Sequence, residues 1–123
     1  MRLLAKKKDE EVKAFLGKGA EFTGKLIFKG LVRIDGDFKG EVFGEGTLVI
    51  GEGSNNEMDI TSDVVLISGE VHGQINAGAK IEIYPTGRVF GNMNTPSLVV
   101  KEGAVFEGNL CMGSENYEKN NSI

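Results

Sequence analysis

The sequence predicts an all-β chain wound as a right-handed parallel β-helix of about six windings of ~17 residues each, with a disordered tail at either end. Three observations carry this. Apolar columns recur every 15 to 18 residues, fifteen of the 18 glycines fall within residues 20–110, and apolar and polar residues alternate there with period 2. An interior Gly costs a helix roughly 1 kcal/mol relative to Ala, so this glycine density excludes long helices and leaves strands and turns. The alternation, as in Gly69-Glu70-Val71-His72-Gly73-Gln74-Ile75, belongs to strands with one buried face. Strands of 3 to 5 residues at this spacing are too close for βαβ units and lack Asn-Gly turns between them; a coil of stacked windings satisfies both constraints.

Residues 1–17 read as a flexible tail. Within residues 1–19, Arg2, Lys6, Lys7, Lys8, Lys13 and Lys18 face Asp9, Glu10 and Glu11, and Val12, Phe15 and Leu16 form a short apolar patch. The β-helix domain spans 18–111. Its first column is Val32/Ile34, Leu48/Ile50, Val65/Ile67, Ile81/Ile83 and Leu98/Val100, whose second members step by 16, 17, 16 and 17. A second column runs Phe22, Phe38, Asn56, Val71, Val89, Phe106, followed in most windings by Gly and then by Leu26, Val42, Ile60, Ile75, Met93 and Leu110. One winding departs, with Asn56 and Met58 where an apolar residue and a glycine are expected. An inward Asn without a partner costs ~1–3 kcal/mol, so the expectation is a corner position or a register shift. Glycines mark corners, and Pro85 and Pro96 fall in turns where no ladder donor is lost. Right-handed winding follows from the preferred hand of crossovers between parallel strands. Residues 112–123 are polar and Asn-rich, a second tail.

Composition narrows the function. A chain of 123 residues fits one small domain, and its net charge of -4 argues against nucleic acid as a partner. A single cysteine permits no internal disulfide, and Met1 to Lys8 lacks the apolar run of a secretory signal, which makes the cytoplasm the expected compartment. Cys111 reads as a buried small hydrophobe. His72, the one histidine, alternates with Val71 and so faces outward. It is the residue on which an enzymatic alternative would rest, a left-handed β-helix acyltransferase-like trimer with histidine as general base. That architecture needs hexapeptide units, whereas this chain shows two columns per repeat and variable steps. No catalytic residue, metal set or cofactor site is assigned. One His and one Cys do not make a tetrahedral metal set, and no Gly-Lys-Ser/Thr follows the glycine-rich stretches to cradle a nucleotide. A monomeric binding module using a flat face is a third reading.

The ends of such a coil carry the functional expectation. A β-helix has an unpaired strand edge at each end, and an uncovered edge templates pairing with another chain. Here the end windings echo each other: Gly19-Ala20-Glu21-Phe22-Thr23-Gly24-Lys25-Leu26 matches Gly103-Ala104-Val105-Phe106-Glu107-Gly108-Asn109-Leu110. Phe22, Leu26, Phe106 and Leu110 are therefore assigned to a polymerisation interface in which the chain's main partner is itself. Met1, Arg2, Leu3, Leu4, Lys6, Lys7 and Lys8 pair a small apolar group with a basic cluster, a combination suited to an anionic inner membrane, and are assigned to membrane binding.

The windings at 31–42, 67–75 and 85–93, above all the run Arg33-Ile34-Asp35-Gly36-Asp37-Phe38-Lys39-Gly40, resemble the bactofilins, bacterial cytoskeletal proteins with a right-handed parallel β-helix between disordered tails. The resemblance covers about residues 15–112. It implies end-to-end self-assembly without nucleotide into non-polar filaments, attachment to the cytoplasmic face of the inner membrane, a scaffolding role in cell shape or envelope organisation, and partners among cell-wall enzymes or other envelope proteins.

Overall fold

The structure is a computed structural model and describes residues 12–112. It contains eight strands: β1 (Val12–Leu16), β2 (Glu21–Ile34), β3 (Asp37–Ile50), β4 (Asn55–Ile67), β5 (Glu70–Ile83), β6 (Arg88–Asn94), β7 (Leu98–Val100) and β8 (Val105–Cys111). Every pairing is parallel, in the order β1-β2-β3-β4-β5-β6-β8 with β7 on β5, and no helix occurs among the described residues. The chain is a parallel β-solenoid of about five turns. β2 to β5 each complete one winding, β6 and β7 share a fifth, and β1 and β8 are half windings at the two ends. The expected count of about six is corrected because Phe106 and Leu110 begin a winding that β8 does not complete. Val12–Leu16, expected within the tail, pair with Leu31–Ile34 of β2 and extend the coil.

Strands are longer than the 3 to 5 residues the pattern suggested. The ladder from Glu21–Ile34 to Asp37–Ile50 is unbroken over 14 residues, because mid-winding glycines bend the chain without interrupting its hydrogen bonds. Gly40 and Gly91 show why side chains are excluded there: both have φ near +140°, and a Cβ on either would overlap the carbonyl of the glycine one winding below, Gly24 or Gly73.

Two corner lengths explain the alternating steps of the first column. Four-residue corners at 17–20, 51–54, 84–87 and 101–104 are each closed by a bond from the last N–H to the first carbonyl, as in Ala20 to Gly17 at 3.1 Å. The corners at 35–36 and 68–69 have two residues and nest against the longer corner of the preceding winding. There a Cβ on Gly36 would overlap the carbonyls of Gly17 and Ala20, and one on Gly69 the carbonyl of Gly51. A two-residue corner before a 14-residue strand advances the column by 16. A four-residue corner before a 13-residue span, as at β4, advances it by 17.

The interior is a stack of aliphatic side chains. Ile34, Ile50, Ile67 and Ile83 form one fully buried line, and Val42, Ile60, Ile75 and Met93 another; each such side chain contributes about 1.5–3 kcal/mol on burial. Asn56 sits inside this stack, fully buried, with no register shift at its own position. Its Oδ1 accepts the N–H of Phe38 at 3.1 Å, and its Nδ2 donates to the Glu70 carbonyl at 3.2 Å and to Ser54 Oγ at 3.0 Å. The side chain thus ties the winding above to the winding below. Met58, in register with Gly40, is buried in the glycine column beside it. The register shifts lie instead beyond Phe43 and beyond Ser62. Pro96, which has no N–H to donate, falls between β6 and β7, where Thr95 Oγ1 bonds Ser97.

Candidate functional site

The two ends of the coil are where its architecture leaves chemistry unsatisfied. Among the described strands, β1 and β8 each have one unpaired edge, and so do the first half of β2 and the whole of β7. Each edge stands over the apolar column that runs the length of the core.

At the N-terminal end, Phe22 is half-buried and stacks on Phe38, with centroids 4.9 Å apart and planes 14° from parallel. Leu26, also half-buried, packs on the same cluster. Two further residues partly cover this end. Leu16 of β1 packs against the core in register with Ile34, and Phe28 is buried, its ring occupying the space left by the missing side chain of Gly44.

The C-terminal end is more open. Phe106 lies in register with Val89 and is half-buried, while Leu110, in register with Met93, is 39% exposed. Beside them β7 has no described strand above it. Val100, in line with Ile83, is 45% exposed, and Leu98 is half-buried. Leu98 and Val100 complete the open column here, and sequence reasoning did not assign them to the interface. The signal was present, since they are the last aliphatic pair of the first column. Of the four assigned residues, the structure brings Phe22 and Leu26 together at one end and Phe106 and Leu110 at the other, with four windings between the two phenylalanines.

Charge does not bar contact at either end. The N-terminal rim mixes Glu21, Lys25 and Lys29, and the C-terminal rim Lys101, Glu102 and Glu107. The membrane-binding set, Met1, Arg2, Leu3, Leu4, Lys6, Lys7 and Lys8, lies outside the described residues. Cys111 is exposed at the end of β8, a correction to the buried position expected, because no described strand pairs beyond β8. His72 faces outward and is half-buried, its Nε2 2.6 Å from Glu70 Oε2 and its ring stacked on Phe90 at 4.9 Å. Among the described residues no group of three or more His, Cys, Asp or Glu is placed to hold a metal ion.

Among the described residues, a parallel β-solenoid whose apolar core reaches the surface at both ends, with free strand edges around it, defines a structural β-solenoid module. Comparison with known proteins makes the assignment specific. Residues 14–111 match the family described as bactofilin, polymer-forming cytoskeletal, and the chain belongs to that family. It is 34% identical over 87 residues to bactofilin BacO of Myxococcus xanthus, covering 71% of this chain and 64% of the relative. To bactofilin BacP of the same organism it is 26% identical over 98 residues, covering 80% of this chain and 41% of the relative. The matched segment is thus less than two thirds of each relative's length. Among solved structures it resembles a Thermus thermophilus bactofilin reconstructed by cryo-EM as double helical filaments, with a TM-score of 0.77, 37% identity, and coverage of 81% of this chain and 99% of that one. Membership in a structural, cytoskeletal family displaces the acyltransferase-like trimer.

Proposed function

We propose that this chain is the protomer of a cytoskeletal scaffold that stacks end to end, without nucleotide, into non-polar filaments at the cytoplasmic face of the inner membrane, where the polymer supports cell shape or envelope organisation. The observation that carries the reading is the apolar column left open at both ends, through Phe22 and Leu26 on one side and through Phe106, Leu110 and Val100 on the other. Stacking there buries aromatic and aliphatic surface and pairs free strand edges in one step. No fuel is needed, because burial of apolar surface is itself the driving force. Non-polar order requires like ends to meet, Phe22 and Leu26 on a copy of themselves and Phe106 and Leu110 on a copy of themselves, an arrangement supported by the family resemblance. The double helical filaments of the Thermus thermophilus relative support a further feature, that filaments of this chain run in pairs.

Attachment through Met1 to Lys8 would be weak for one chain. Along a filament the tails act together, and multivalency raises avidity by orders of magnitude without any new contact. Cell-wall enzymes or other envelope proteins are the partners such a scaffold would organise.

Negative-stain electron microscopy of the purified chain in buffer free of nucleotide tests the polymer. Thin unbranched filaments are expected, and compact uniform oligomers would refute it. Liposome co-sedimentation of the full chain against one lacking Met1 to Lys8 tests the tail, with equal binding counting against the membrane role.

A further inference from the structure

Six large apolar side chains are exposed among the described residues, and four of them, Val99, Val100, Leu110 and Met112, belong to the C-terminal end. The remaining two, Ile27 at 67% and Phe43 at 39% exposure, lie on the side of the rod. They are direct neighbours in the ladder between β2 and β3. The segments that carry them, 25–29 and 41–45, are each bounded by positive-φ glycines, Gly24 and Gly30 in one winding and Gly40 and Gly46 in the next. Between those corners the two segments form a flat strip.

The strip has an ordered charge pattern. One winding presents Lys25, Ile27 and Lys29 outward, the next Glu41, Phe43 and Glu45, and the register sets each lysine beside a glutamate. Lys25 Nζ lies 5.2 Å from the Phe43 ring centroid, and Lys29 Nζ is 3.9 Å from Glu45 Oε1 with both side chains mostly exposed. Later windings carry polar residues at the same columns, Asp59 and Thr61, then Gln74 and Asn76, then Asn92 and Asn94, so the apolar patch is confined to two turns.

We infer that this strip is a lateral contact between two copies of the chain whose rods run antiparallel. A two-fold axis that lies in the interface, perpendicular to the rods and between the two windings, exchanges one winding for the other. It sets Ile27 on the partner's Phe43, Lys25 on the partner's Glu41 and Lys29 on the partner's Glu45, and the reverse contacts follow by symmetry. Two apolar contacts are thereby framed by four opposite-charge pairs. Parallel rods related by an axis along their length set Lys25 against the partner's Lys29 and Glu41 against the partner's Glu45. Those are four like-charge contacts, which oppose association. The charge pattern therefore selects one orientation as well as one surface. An anionic bilayer is a poorer occupant, because the two lysines are matched by two glutamates and the strip offers no net positive charge.

The contact is small, well short of the ~1,000 Å² of a stable interface, so a single copy of it is weak. It recurs once per protomer along a filament, and there it sums into lateral pairing. That last step rests on the polymer reading above, whereas the contact itself does not, and it uses none of the apolar end residues Phe22, Leu26, Val100, Phe106 or Leu110, although Lys25 and Lys29 also lie on the N-terminal rim.

Charge reversal tests it. The chain carrying Lys25→Glu with Lys29→Glu, the chain carrying Glu41→Lys with Glu45→Lys, and the chain carrying all four are compared with the native one by electron microscopy. The native chain and the fourfold variant are expected as paired filaments and both double variants as single ones, with lateral association weakened about ten-fold in each double variant. Pairs that persist in the double variants, or that fail to return in the fourfold chain, overturn the contact. If no chain forms filaments, end stacking is what has failed, and sedimentation equilibrium at millimolar protein reads the lateral contact alone. A weak dimer lost in both doubles and regained in the fourfold chain supports it, and identical sedimentation of all four chains overturns it.

Discussion

The two ends of this rod share five of eight aligned residues, Gly-Ala-x-Phe-x-Gly-x-Leu, yet they are finished differently. At the N-terminal end, Leu16 of β1 covers half of the opening and Phe28 fills the space over Gly44, while Phe22 and Leu26 are half-buried. At the C-terminal end β8 covers one half of the coil and no described strand covers β7, which leaves Val100 and Leu110 exposed and Phe106 half-buried. The contrast teaches that in a repetitive coil the exposure of a core position depends on where the coil is cut, since every inward residue is equivalent until its neighbouring winding is missing.

The largest effect expected on this contrast comes from the glycine column. Gly91→Ala drives a Cβ into the Gly73 carbonyl at a positive φ and should cost about 3–5 kcal/mol by urea denaturation. Gly24 has the same kind of φ, but a Cβ there meets only the ring of Phe22, so Gly24→Ala should cost only about 1–2 kcal/mol. Equal losses would mean that the missing winding makes no difference at the N-terminal end.

Phe28→Ala ranks next. Truncating the buried plug should destabilise the fold by about 3–4 kcal/mol in the same assay. Asn56→Ala strands the Phe38 N–H and the Glu70 carbonyl inside the core and should cost about 2 kcal/mol, which a chemical melt reads directly. Val100→Arg and Phe106→Arg separate assembly from stability. Val100 is already exposed, so the first should shift unfolding by no more than about 0.5 kcal/mol while shortening or abolishing filaments in electron micrographs. Normal filaments from Val100→Arg would confine the C-terminal contact to β8.

The smallest effect is electrostatic. Glu82 receives hydrogen bonds from Lys80 Nζ at 2.9 Å and from Tyr84 Oη at 2.7 Å, and these hold its carboxyl below the usual range. A depressed carboxylate pKa contributes stability at neutral pH that is lost as pH falls through the folded value. Glu82→Gln should therefore flatten the acid limb of the stability profile slightly and leave the profile near pH 7 to 8 unchanged in shape, as measured by thermal melts across pH. The same bond raises the Tyr84 hydroxyl, so its contribution is present at neutral pH and fades only as pH rises through the folded tyrosine value.

Much of this could be read along the chain. Alternation marked Val42, Ile60 and Ile75 as inward, the glycines marked the bends, and the echo between Phe22 and Phe106 marked the ends, because each of these depends on residue type at a short, regular spacing. Asn56 broke the pattern without disclosing its partners, since Phe38 and Glu70 lie 18 and 14 residues away. Leu98 and Val100 escaped assignment for a related reason: their sequence is that of any other winding, and what exposes them is that no described strand lies above β7.

The sequence by itself determined the period, the buried columns and the family to which the chain belongs, because a coil that repeats in register needs only local rules to place each side chain inside or outside. The tertiary structure alone decided which half of each end stays open, how an inward asparagine is satisfied, and that Lys25-Leu26-Ile27-Phe28-Lys29 lies against Glu41-Val42-Phe43-Gly44-Glu45 on one flat side. These properties arise between windings, from which strand lies above which, and no local pattern encodes them.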